Sequence, residues 1–312
     1  MAGCKKDIYT GVTIPLRPPF RFPGKPRRNP GSFCLPELPY IRAMYKAVFL
    51  DMDGTLLKSD HSVSEATIQT IRTLTGKGIP VILVSARPLN AVLPTFHNIG
   101  LPAQYPIITL NGSYIVEAEL PIFQAMIDLD STENVTRLVR PFNATIAYYL
   151  QREWYSEVSD GWTDHEQRIM DVKIKVAPIA SLVKDWSARN IAPNKMMVMS
   201  EPDNILKIQQ HLRSIYNGKL NIYPSKPTYL EVMDTRGSKS NAIKFISEKM
   251  GLAPSEIIAM GDNYNDKEMI MFAGVGVAMG NAPDEIKAAA DYVTDTNNND
   301  GVRLALEKFF EL

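Results

Sequence analysis

The sequence predicts an α/β protein with a doubly wound, mostly parallel sheet interrupted by an inserted α+β cap layer. Two observations carry this. Short, nearly all-aliphatic runs such as Tyr45–Leu50, Pro80–Val84 and Ile257–Met260 alternate with helix-length amphipathic segments, the pattern of strands covered on both faces. The alternation loosens between about residues 124 and 225 and then resumes, as expected when one unit is inserted in another. A chain of 312 residues accommodates two domains at ~100–200 residues each.

The expected division is an extension over 1–43, an α/β unit from 44–125 and 226–312, and an inserted α+β unit over 126–225. Residues 1–43 hold eight prolines, eight basic and two acidic residues, and show no helix or strand period. Such a segment buries too little surface to offset its ordering entropy, so it reads as a disordered basic tail or as upstream sequence before a start at Met44. Both cysteines, Cys4 and Cys34, lie there, so the remainder has neither disulfides nor thiolate metal sites. Hydrophobic residues make up 45%, charged residues 22%, and the formal net charge is zero, an ordinary globular composition with no call for nucleic acid. From Met44 onward, 32 acidic residues face 26 basic ones, so any anion site must concentrate positive charge locally. No run approaches the ~18 apolar residues of a membrane span, and a cytoplasmic location is expected.

The first strand runs into Asp51-Met52-Asp53-Gly54-Thr55. Paired carboxylates just past a strand read either as a plain Asp-Gly turn or as a reactive pair, one attacking phosphorus and the other moving protons. Ser62-Val63-Ser64-Glu65 reads as a capping box for a helix whose apolar face is Ile68, Ile71 and Leu74. The next strand ends at Ser85-Ala86-Arg87-Pro88, where Ser85 is either a helix N-cap or a phosphate ligand. A helix over Leu89–Ile99, a strand at Ile107–Leu110 and the turn Asn111-Gly112 follow.

In the looser stretch, the pattern predicts helix 131–140, strand 145–150, a second strand, a helical segment, strand 195–199, helix 203–216 and strand 220–223. Its aromatic segment from Arg152-Glu153-Trp154-Tyr155 to Trp162-Thr163-Asp164-His165 faces either a substrate or the small unit's own core. The strand Tyr229–Met233 is expected to return the chain to the first sheet. Lys239 then opens a helix, where a cation opposes the macrodipole unless an anion joins it. The strand Ile257–Met260 leads into Gly261-Asp262-Asn263-Tyr264-Asn265-Asp266. A calcium loop fails here, because Tyr264 cannot ligate and Lys267 stands where Gly is needed. Asp262 joining Asp51 on one Mg²⁺ suits that ion's preference for oxygen ligands. Strand 274–278, helix 283–289, strand 292–294 and a terminal helix complete the chain, with Asn297–Asp300 as a polar turn.

Taken together and in order, DxDGT, Ser85-Ala86-Arg87, Lys239 and GDxxND resemble the motifs of haloacid dehalogenase-type phosphatases. The chain is most similar to their Cof-type branch (subclass IIB), whose cap is inserted within the core. The resemblance covers 44–312. It implies Asp51 as nucleophile and Asp53 as general acid and base. It implies Mg²⁺ on Asp51, Asp262 and the Asp53 carbonyl, with Asp266, Thr55 and Arg87 in support. Ser85, Ala86, Lys239 and Asn265 are implied to hold phosphate or substrate. Ala86 replaces a glycine common in the family, which affects loop freedom rather than chemistry, and Ser240 replaces the glycine that often follows the lysine, so that match is not complete. The implied reaction is hydrolysis of a small phosphorylated metabolite. The alternatives are phosphomutase or phosphotransferase chemistry through the same aspartyl phosphate, and a non-catalytic binder on the same fold. Substrate identity, the cap residues that touch it and the oligomeric state are not legible; sugar, nucleotide, flavin and pyridoxal phosphates all stay open.

Overall fold

Residues 45–312 are described by a computed structural model. The expected extension over 1–43, with both cysteines, lies outside the described residues. Chain order begins with β1 (Ala47–Asp51), α1 (Glu65–Gly76), β2 (Val81–Val84), α2 (Leu89–Ile99), β3 (Ile107–Thr109), β4 (Tyr114–Glu117) and β5 (Leu120–Gln124). Next come α3 (Leu129–Val139), β6 (Thr145–Leu150), β7 (Glu153–Ser156), α4 (Gly161–Met170), β8 (Lys175–Val176) and α5 (Ile179–Ala188). They are followed by β9 (Lys195–Met199), α6 (Pro202–Tyr216), β10 (Leu220–Lys226) and β11 (Tyr229–Asp234). The last part holds α7 (Lys239–Met250), β12 (Ile257–Gly261), α8 (Lys267–Phe272), β13 (Val275–Ala278), α9 (Asp284–Ala289), β14 (Tyr292–Val293) and α10 (Gly301–Phe310).

The first sheet has the order β14-β13-β12-β1-β2-β3-β4-β5. It is parallel as far as β3, and β4 and β5 add an antiparallel hairpin at one edge. Its central strands are buried on both faces, and alternate residues enter two different cores. Val48, Leu50 and Leu83 pack with Ile71 of α1 and Val92 of α2, while Phe49, Ile82 and Ala259 pack with Ile243 and Ile246 of α7. Each such buried large side chain contributes ~1.5–3 kcal/mol over exposure. Ser64 caps α1 by accepting from Thr67 N at 3.1 Å, so the cap expected at Ser62 lies two residues later and is a single N-cap rather than a box. Ser62 is instead held by Asp60.

The second sheet has the order β10-β11-β9-β6-β7-β8 and is antiparallel except for β7–β8. One expectation is corrected here. Tyr229–Met233 does not rejoin the first sheet; as β11 it pairs with β9 and β10, so this sheet extends to Asp234. An apolar strand fits either sheet, and its neighbours decide which. One face of the sheet packs Tyr148, Val198 and Leu230 against Val135, Trp186 and Ile205 on its helices. The other face sends Tyr149, Met197 and Tyr229 into the same apolar cluster as β1 and β2, over the carboxyl ends of the parallel strands. Trp154 is buried in the cluster shared with the first sheet and Tyr155 in the second sheet's own core, whereas His165 is exposed. Among the described residues, no helix is long and apolar enough to cross a membrane.

Candidate active site

The parallel strands deliver the polar residues to one edge. Asp51 is the last residue of β1 and Asp262 directly follows its neighbour β12. Lys239 is the first residue of α7, with Ser238 as its cap. Its Nζ donates to Asp51 Oδ1 at 2.5 Å and to Asp266 Oδ1 at 2.6 Å, with all three side chains buried. The other Asp266 oxygen accepts from the backbone N–H groups of Asp262 and Asn263, both at 3.0 Å, which fixes the shape of that loop. Thr55 Oγ1 donates to Asp262 Oδ1 at 3.3 Å. Gly54 has φ +79°, and a Cβ there would lie 2.3 Å from Asp262 Oδ2, so only glycine lets the two loops meet this closely.

Asp53 turns away from this cluster. Both its oxygens accept from the Arg87 guanidinium, at 2.8 and 2.5 Å, and Arg87 Nη2 also lies 3.3 Å from His61 Nδ1. Ser85 is fully buried and accepts from Arg87 N at 3.1 Å. It does not cap α2, which begins at Leu89 after Pro88, so the reading of Ser85 as a helix cap fails. The Ala86 carbonyl accepts from Lys195 Nζ at 2.9 Å. Asp51, Asp53, Lys239, Asp262 and Asn265 border one cavity of about 230 Å³, with Ala86 and Arg87 at its side.

The second sheet contributes Tyr149, Lys195, Met197, Tyr229 and Glu231 to that cavity, and α4 contributes Glu166. Sequence reasoning missed Lys195 and Glu231. The available signal was a charge in an otherwise apolar strand, Lys-Met-Met-Val-Met and Tyr-Leu-Glu-Val-Met, since an interior charge must find a partner. Asn111, taken only as a turn residue, donates to Glu231 Oε2 at 2.7 Å. Asn281, which carries no motif, donates to the Gly54 carbonyl at 2.8 Å and braces the loop after Asp53.

The electrostatics of the cluster call for a cation. Carboxylate oxygens of Asp51, Asp262 and Asp266 lie within 4.8 Å of one another, against the single ammonium of Lys239. Burial, followed by repulsion from Asp266, pushes Asp51 well above the usual carboxylate range. The same two causes push Asp262 up to about 7. Burial disfavours the Lys239 ammonium, but Asp266 and Asp51 outweigh it and hold the group charged. Three hard oxygen donors with excess negative charge fit a small divalent cation such as Mg²⁺. Asp266 lies in this acidic cluster, with one oxygen engaged by Lys239 and the other by backbone N–H groups, and the Asp53 carboxylate is committed to Arg87.

Comparison with known proteins agrees with this architecture. The family model described as haloacid dehalogenase-like hydrolase matches residues 48–306. A Haemophilus influenzae protein provisionally named a phosphatase is 36% identical over 86% of this chain and 99% of its own length. The 5-amino-6-(5-phospho-D-ribitylamino)uracil phosphatase of Bacillus subtilis is 31% identical, over 84% of this chain and 94% of that one. The crystal structure of a haloacid dehalogenase-like hydrolase from Bacteroides thetaiotaomicron superposes with a TM-score of 0.77 at 28% identity, covering 85% of this chain and all of that one.

Proposed function

Because the chain belongs to the haloacid dehalogenase-like hydrolases and is a phosphatase of their Cof-type branch, we propose that it hydrolyses small phosphate monoesters with Mg²⁺ through an aspartyl phosphate on Asp51. The observation that carries this reading is the buried Asp51 held by Lys239 beside Asp262 and Asp266. We further take the division into a catalytic core and an inserted cap as the working arrangement, with the cap ending at Asp234 rather than at 225.

Asp51, Asp262 and the Asp53 carbonyl would hold the metal, with Asp266 supporting the site through Lys239 and the backbone of Asp262 and Asn263. When bound, Mg²⁺ neutralises charge so that a carboxylate and a phosphate can meet. Lys239 adds a fixed positive charge against the phosphoryl oxygens, and Ser85 holds the adjoining loop. An Asp51 oxygen attacks phosphorus as the ester P–O bond breaks, and Asp53 gives its proton to the leaving oxygen. Asp53 then takes a proton from water, whose oxygen attacks phosphorus and releases the Asp51 carboxylate. Both Asp53 oxygens accept from Arg87, so one of those hydrogen bonds must give way for Asp53 to donate. Arg87 thus orients the carboxyl between turnovers.

Two measurements test the reading. EDTA should abolish turnover, Mg²⁺ should restore it, and Mg²⁺ should raise the melting temperature by binding the folded state. Asp262→Asn should weaken the Mg²⁺ response in both assays; full activity in thoroughly metal-stripped protein would remove the metal from the mechanism. The second measurement addresses Asp53. An alkoxide needs a proton as it leaves and p-nitrophenolate does not, and general acid help is typically worth ~10²–10⁴. Asp53→Asn should lower kcat/KM for an alkyl phosphate far more than for p-nitrophenyl phosphate. Equal losses on the two esters would limit Asp53 to shaping the loop. A panel of sugar, nucleotide, flavin and pyridoxal phosphates then ranks the substrates.

A further inference from the structure

The orientation of one amide in the catalytic cavity is dictated from the second sheet. Lys195 Nζ lies 3.3 Å from Glu231 Oε2, and each side chain is only 4% exposed. A carboxylate paired in this way only accepts hydrogen bonds, so Asn111 presents Nδ2 to it, at 2.7 Å. That choice leaves Asn111 Oδ1 for Asn265, which donates from its own Nδ2 at 3.0 Å. The remaining atom, Asn265 Oδ1, is therefore an acceptor, and it is buried with no protein partner. Neither amide can turn over without setting two acceptors against each other. An acceptor is the wrong group for phosphate, whose oxygens also accept. It is the right group for an O–H or N–H. A buried acceptor left unmatched carries a desolvation penalty, and Asn265 borders the cavity, so a group that fills the cavity is placed to supply the missing donor.

We propose that Asn265 Oδ1 receives a hydrogen bond from an O–H or N–H on the leaving group of the substrate. The buried Lys195–Glu231 pair, acting through Asn111, fixes the amide in that sense and so determines specificity. This inference rests on the phosphatase reading above and adds a class of ester to it: hydroxylated or aminated leaving groups are preferred over plain alkyl ones. Lys195 and Glu231 are positioning residues, since Asn265 makes the contact.

The test compares kcat/KM for ribitol 5-phosphate and n-pentyl phosphate, which share a carbon count and differ in hydroxyls. Turnover of p-nitrophenyl phosphate independently reports the phosphatase reading. Wild type should prefer the ribitol ester. In Glu231→Gln, residue 231 gains a donor and the relay can run either way, so the preference should narrow by about tenfold, the weight of one hydrogen bond. The double variant Lys195→Met/Glu231→Gln removes both charges together. It should show the same narrowing, and it keeps a folded protein in hand if a lone buried Lys195 unfolds the single variant. Two results would overturn the proposal while p-nitrophenyl phosphate is still hydrolysed: no preference in wild type, or an unchanged preference in folded variants. An unchanged preference accompanied by weaker Mg²⁺ affinity would likewise overturn it, assigning Asn265 Oδ1 to a metal-bound water.

Discussion

Asp51→Asn should eliminate turnover of every phosphate ester while leaving the protein folded. The amide keeps the shape of the carboxylate and cannot attack phosphorus. Removing one member of a covalent catalytic unit costs roughly 10⁴–10⁶-fold. Because burial and Asp266 already raise the Asp51 carboxyl, its loss relieves repulsion in the cluster, and the metal-free melting temperature should hold or rise. Acid-quenched reactions with labelled substrate should show label on the wild-type protein and none on the variant. Residual activity within an order of magnitude of wild type would mean that another group attacks.

Lys239→Met should be the most damaging single change to stability. Its ammonium is the only cation paired with Asp51 and Asp266 in the described structure, and all three side chains are at most 5% exposed. Breaking a buried pair by deleting one partner costs about 3–5 kcal/mol, because the other charges are left uncompensated. Denaturant titration of metal-free protein should show a loss of that size, and Mg²⁺ should recover part of it. Turnover should fall by roughly 10²–10³, the scale of losing one preorganised group at a developing charge. Adding Asp266→Asn to Lys239→Met should restore stability without restoring turnover, since an Asn oxygen still accepts from the backbone of Asp262 and Asn263. A stability loss below about 1 kcal/mol would show that the carboxylates are not relying on the lysine.

The parts of this site that local sequence carries were legible, and those that depend on packing were not. Asp51 ends a buried strand, Ser85 and Asp262 each directly follow one, and Lys239 opens a helix, so their placement at one edge follows from the parallel sheet. The membership of β11 was not legible, because Tyr229–Asp234 satisfies the pattern of a buried strand in either sheet. The same holds for Glu231 and Lys195, whose pairing joins strands with no sequence link between them. The β4–β5 hairpin escaped for another reason. Its second strand is partly exposed and contains Pro121, which weakens the strand signal and suits an edge. Asp53 was read as reaching for the substrate; its hold on Arg87 comes from a contact between separate loops.

The pairing at the middle of the first sheet also sets an order of events during synthesis. β1 is the first of the described elements, yet the neighbour that completes its ladder is β12, with Ala47 opposite Ile257. The whole second sheet is translated between them. A loop of that length makes this ladder one of the most non-local contacts in the protein, and such contacts form late. The second sheet, whose strands are all at hand by Asp234, has its own apolar core to close beforehand. Asp51 therefore waits on the nascent chain with neither Lys239 nor Asp262 beside it. The cluster is assembled in the closing stretch of translation, so a ribosome-stalled fragment ending before β12 carries Asp51 and Lys239 but lacks Asp262 and Asp266.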